Sequence, residues 1–215
     1  ETAARSSFET DYAERDTLDL YWSRRNVNLE QISEQTAAAF LGVRLQCCRC
    51  HKHPYDRWSQ SDYRAFANVF GQVRFGESPA AQAAIQAENQ RRAGMPDNQR
   101  LPRLREVFLA VNNPRRLNDP KTNRPLPALA PGGPELDPAS DTRAQLMEWM
   151  LEPQNPFFGR AFVNRVWEHY FGRGIVHPVD DFSVGNPPSN EELLDALATE
   201  FVQRGYDIRH IERVI

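Results

Sequence analysis

"NLEQISEQTAAAFLGVRLQC", residues 28–47, sets the frame for the whole chain. Leu29, Ile32, Thr36, Phe40, Val43 and Cys47 follow one another at steps of 3, 4, 4, 3 and 4 residues. Those steps keep side chains on one face of a 3.6-residue helix. Asn28, with Gln31 three residues on, makes a capping pair at its start. The spacing predicts one amphipathic helix that carries its apolar stripe directly into a cysteine cluster. His53-Pro54 ends it, because the residue before proline disfavours the α region.

Helical signals continue beyond this stretch. "QSDYRAFANVF", about 60–70, follows Ser59 and Asp62, which form a capping box, and turns Tyr63, Phe66 and Phe70 inward. "PAAQAAIQAENQRRAG" reads as a surface helix stopped by Gly94, and "LREVFLAV", 104–111, as a short strand. Asp141 caps "TRAQLMEWML", with Met147 and Met150 as core. "NPFFGRAFVNRVWEHYFGRG" carries Phe158, Phe162, Val166 and Tyr170 on one stripe, with Gly172 and Gly174 as the stop. Ser189 with Glu192 caps "NEELLDALATEFVQRG", whose inward face is Leu193, Leu194, Leu197 and Phe201 and whose terminator is Gly205. Asp207 caps a last helix, which runs to Ile215 without a stop signal, as a piece of a longer protein does.

Between 114 and 138 stand Pro114, Pro120, Pro125, Pro127, Pro131, Pro134 and Pro138, with Gly132-Gly133. Proline removes a donor and fixes φ, so that density predicts irregular chain. The expected fold is mainly α: two helical units, 1–111 and 141–215, joined by a proline-rich irregular linker at 112–140, with little or no sheet. A net charge of −3 gives no basic footprint, so no nucleic-acid partner is expected. No apolar run approaches the length of a membrane span.

The cluster "LQCCRCHKHPYDRW", 45–58, holds all 3 cysteines and two of the 5 histidines. Cys47, Cys50 and His51 spell C-x-x-C-H, the attachment string of c-type haem. On a helix, i and i+3 share a face, so two sulfurs reach one porphyrin edge while the adjacent imidazole turns to the iron. By the same geometry Cys48 points away, and the stripe from Leu29 to Val43 runs along one haem face. Other readings stand beside this one. Cys47 and Cys50 also suit a redox disulfide pair. Cys47, Cys50, His51 and His53 supply donor types for zinc, although adjacent Cys50 and His51 are awkward on one ion. Buried thiols and hydrogen-bonded histidines are the plain structural alternative.

"AFLGVRLQCCRCHKHPYDRWSQSDY" resembles a planctomycete family of cytochrome-like domains of unknown function, in its F-L-G, C-x-x-C-H-x-H-P and D-x-W elements. "NPFFGRAFVNRVWEHYFGRGIV", "PVDDF", "NPPS" and "ELLDALATEFVQRGYDI" resemble the domain of unknown function that habitually follows it. The resemblance implies haem c, an extracytoplasmic (periplasmic) address, a redox partner, and further domains on the same chain, often a preceding haem domain. The expected function is a c-type haem-binding electron-transfer or redox-sensing module; the alternative is a non-haem metal-binding or scaffold module. Cys48 stands where the family has a small residue.

A sixth iron ligand is sought in Met95, in "AGMPD", with His177 before Pro178 as the weaker choice. His169 reads as an ordinary helix residue, and His53 as a turn residue too close to His51 to face it across an iron. Asp180-Asp181, with Asn186 and Asn164, is the one acidic-polar grouping of the second half. Structural pairing with Arg165 or Arg173 is the expected use, ahead of Ca²⁺ or acid–base work. No nucleophile elbow, phosphate loop or dinucleotide glycine pattern occurs, so no enzyme is claimed.

Overall fold

The structure, a computed structural model, describes residues 28–94 and 106–215. Met95 lies outside the described residues. The fold is mainly α. In chain order the helices are α1 (Leu29–Thr36), α2 (Gln60–Asn68), α3 (Pro79–Arg91), α4 (Thr142–Met150), α5 (Phe158–Phe171), α6 (Glu191–Gln203) and α7 (Ile208–Val214). Two antiparallel pairs complete it: β1 (Val73–Gly76) with β2 (Glu106–Leu109), and β3 (Ala128–Leu129) with β4 (Glu135–Leu136). Among the described residues no helix is long and apolar enough to cross a membrane.

The described residues fall into two compact units, and the division is not the one the prolines predict. Leu29–Gly71 and Arg115–Ile215 form the larger; Asn28 and Gln72–Pro114 belong to the smaller. In the smaller unit the expected strand pairs as β2 with β1, from Val73 opposite Leu109 to Gly76 opposite Glu106. Helix α3 runs between them in sequence.

In the larger unit, α5 and α6 build the core. Val163, Ile175, Val176, Leu194, Leu197, Phe201 and Ile211 are buried together. Phe162 stacks on Phe201 with ring centroids 4.4 Å apart. Asp141 and Asp207 cap α4 and α7 as expected. Ser59 and Asp62 form the reciprocal box at α2. Asn190, not Ser189, caps α6: its side chain accepts from the Leu193 N–H. Ser189 is drawn off instead to the Ile175 carbonyl, through both its N–H and its hydroxyl. Met150 is buried, but Met147 and Tyr170 face outward.

The proline-rich stretch is not a free linker. Buried Asn68, the last residue of α2, donates Nδ2 to the carbonyls of Leu117 and Leu126, both at 3.0 Å. Its Oδ1 accepts from the Leu117 N–H at 2.6 Å. The chain also makes its own bonds, Asp119 N–H to Arg124 carbonyl and Ala130 N–H to Pro134 carbonyl. Proline density excludes helix, but it does not exclude a segment whose remaining polar groups are met by a buried amide.

Candidate functional site

The predicted single helix breaks before the cysteines. α1 ends at Thr36 and continues as one widened π turn, Ala37–Leu41. Gly42 follows at φ 66°, left-handed, with its N–H on the Ala37 carbonyl. A π insertion rotates the later side chains off the original stripe. Phe40 is accordingly 46% exposed, while Leu29, Ile32 and Val43 are buried in protein. The stripe is therefore core, and it does not line a ligand face.

Cys47 and Cys50 stand on a tighter turn, the 3₁₀ segment Gln46–Arg49 and its cap. In 3₁₀ geometry i and i+3 eclipse, so the two thiols share a side for a different reason from the one the α-helix gave. Both are free and exposed, whereas Cys48 is fully buried. The Cys48 thiol donates toward the Trp58 carbonyl at 3.5 Å, and burial pushes its pKa up to about 11. The same carbonyl accepts from the His53 N–H at 2.9 Å, which closes the loop from 48 to 58 on one oxygen.

His51 is exposed and follows directly. Its Nδ1 lies 2.7 Å from the Lys52 carbonyl. A carbonyl oxygen only accepts, so this bond takes a proton on Nδ1 and turns Nε2 away from it. His53 is buried, and its Nδ1 takes the Tyr55 N–H at 3.3 Å, within its turn as expected. Among the described residues no three His, Cys, Asp or Glu side chains form a group able to hold a metal ion. The donor set named for zinc does not converge: His53 faces the interior and the exposed pair faces solvent.

Arg49, inside the motif, is folded back onto the protein. Its guanidinium pairs with Glu34 at 3.0 Å and donates toward the Tyr63 hydroxyl at 3.5 Å. Tyr63 in turn donates to Glu34 at 2.8 Å. Burial raises the Tyr63 phenol above its ordinary range, outweighing Arg49 beside it. Gln60 Nε2 holds the Arg49 carbonyl at 2.8 Å. The turn is thus tied to α1 and α2 on the side away from Cys47 and Cys50.

Residues 4–75 match the family model described as protein of unknown function (DUF1549). Residues 142–215 match that described as protein of unknown function (DUF1553). The two matches are consistent with two domains of unknown function in tandem. No curated protein and no solved structure matches it.

The DUF1553 segment reaches the DUF1549 turn. Asp180 takes the Arg44 guanidinium through one oxygen, at 2.5 and 3.0 Å, and this pairing raises the arginine's pKa. The Phe182 N–H donates to the Gly42 carbonyl at 2.8 Å, and the Phe182 ring lies against the Gly42 Cα. Gly185 packs on Tyr55, where an added Cβ would meet the Tyr55 Cβ at 3.4 Å. The partner of Asp180 is thus Arg44, 136 residues away, not the nearby Arg165 or Arg173. Arg165 donates to the Ala38 carbonyl at 2.5 Å.

Asn164 and Asn186 are structural. Fully buried Asn164 bridges both backbone groups of Val176, and Asn186 Nδ2 donates to the Asp181 carbonyl. His177 sits 3.5 Å from Glu168, and His169 lies edge-on to Tyr170. Arg44, Arg49, Glu34 and Phe182 escaped the sequence reading. Only Glu34, at i and i+15 from Arg49 on either side of a break, had any local address, and it was indistinguishable from a solvated helix residue.

Proposed function

We propose that the turn 47–51 is the attachment site of a c-type haem in an extracytoplasmic electron-transfer or redox-sensing protein. Cys47 and Cys50 provide the two thioether sulfurs, and His51 Nε2 the proximal ligand. One observation carries the reading: two free, exposed thiols share a side of one turn, and the following imidazole has its Nδ1 2.7 Å from the Lys52 carbonyl, an arrangement that suits a ring ligating through Nε2. Fixing a ligating histidine through its other nitrogen is how proteins orient a ring and raise its basicity. Burial of Cys48 supports the same assignment, since it removes the third thiol from competition.

Haem would supply one-electron chemistry there; the chain's own part is to hold the porphyrin edge, present one imidazole and keep Cys48 protonated. The extracytoplasmic address follows from where such haem is attached. Met95 remains the proposed sixth ligand, from sequence alone.

The test is expression of the chain with a haem-maturation system in a periplasm. A Soret band that survives acid-acetone extraction is expected, retained in Cys48→Ala and lost in the Cys47→Ala, Cys50→Ala double variant. Wild-type protein matured this way without covalent haem refutes the reading.

A further inference from the structure

We infer that the 180–186 loop of the DUF1553 segment is a positioning element for the cysteine–histidine turn, so that the two matched segments build one site. The inference rests on that turn being the ligand-bearing element proposed above. Three separate contacts carry it. The Arg44–Asp180 pair fixes the chain three residues before Cys47. The Phe182 N–H and ring fix Gly42, the left-handed residue at which the chain turns out of the widened helical turn. Gly185 seats Tyr55, four residues after His51. The turn is therefore held before and after the motif by residues from more than a hundred positions downstream, while Arg49 holds it from behind.

None of these three contacts touches Cys47, Cys50 or His51 directly. Their effect is on where the turn sits and how often it opens. The Arg44–Asp180 pair is partly solvated, with side-chain exposures of 41% and 29%, so its share is modest. Phe182 carries no charge to screen, and its N–H bond and ring packing fail together if the loop lifts. Cys48 reports the state of the turn. It is fully buried beneath the exposed pair, so it reacts with an alkylating reagent only when the turn opens.

The experiment uses the whole chain without haem, alkylated with N-ethylmaleimide and read site by site by mass spectrometry. In wild type, Cys47 and Cys50 label quickly and Cys48 slowly. Asp180→Ala is expected to speed Cys48 labelling on the order of fivefold, the scale of a partly screened ion pair. Phe182→Ala is expected to speed it about tenfold or more. Exchanging the pair, Arg44→Asp with Asp180→Arg, restores protection. Ile85→Ala, buried on α3 in the smaller unit, is the control for general loosening. In haem-loaded protein, Phe182→Ala shifts the midpoint potential and Ile85→Ala leaves it in place. The inference is overturned if Cys48 stays as protected in the loop variants as in wild type, or if Ile85→Ala deprotects it equally. Alkylation needs no haem, so a chain that carries none refutes the haem reading without touching this comparison.

Discussion

Replacing Asn164 by alanine isolates the cost of one buried amide. The residue is fully buried on α5, and its side chain meets both Val176 backbone groups: Nδ2 donates to the carbonyl at 2.9 Å, and Oδ1 accepts from the N–H at 3.0 Å. Val176 is itself fully buried. Removing the amide leaves a donor and an acceptor without partners, at about 1–3 kcal/mol each. The expected loss is about 2–6 kcal/mol, the lower end if a water enters the space left behind. With a urea m-value of about 2 kcal/mol/M, the midpoint falls by roughly 1–3 M. The assay is equilibrium urea unfolding followed by far-UV circular dichroism and by tryptophan fluorescence, since coincident curves are needed to convert midpoints into free energy. Asn164→Asp keeps the acceptor for the Val176 N–H but sets a carboxylate against the Val176 carbonyl, so it is expected to be no better than alanine at neutral pH. A loss below about 0.5 kcal/mol for both variants would refute the reasoning, because surface-like tolerance at this position means the two bonds do not hold the segment.

Three further outcomes are expected. Gly42→Ala forces a side chain into a left-handed residue and against the Phe182 ring, and should cost at least about 1–2 kcal/mol in the same assay, with Cys48 more open to alkylation. Leu197→Ala empties a buried site in the α5–α6 core and should cost roughly 2–5 kcal/mol; an unchanged midpoint would place that face outside the core. Asp119 has its pKa depressed, first by the Ser61 hydroxyl and then by the Thr122 N–H, so its contribution is present above the ordinary carboxylate range and fades as pH falls through its lowered folded pKa; melting temperatures of wild type and Asp119→Ala should differ near neutrality and draw together in strong acid.

What the sequence disclosed was local. Caps at Asp141 and Asp207, the Ser59–Asp62 box and the inward face of α6 are decided within four or five residues, and all are as the spacing implies. Failures came where a distant partner chose. Ser189 had the side chain of an N-cap but was claimed by Ile175, so Asn190 took the role. The stripe from Leu29 to Cys47 has perfect helical steps, yet a π turn followed by Gly42 redirects the chain; the glycine was legible, the wider turn was not. The cysteine cluster was legible as a string, and the exposure of Cys47 and Cys50 with Cys48 buried follows from the turn that carries them. The hands that hold it, Arg49 on Glu34 and Asp180 on Arg44, cross gaps over which single-sequence periodicity carries no information. Met95 lies outside the described residues.

The base of the smaller unit has a consequence for how this chain can vary. The main body leaves its path at Gly71 and resumes it at Arg115, where the Arg115 N–H donates to the Gly71 carbonyl at 2.8 Å. The Arg115 carbonyl lies so close to the Gly71 Cα that no side chain fits there. Everything between these two residues is thus an excursion whose exit and entry are clasped together by the body itself. Closure entropy rises only with the logarithm of what is looped out, about 0.6 kcal/mol per doubling. Insertions within 72–114 are therefore expected to cost little closure entropy, provided the residue at position 71 stays a glycine, and the unfolding midpoints of insertion variants check this.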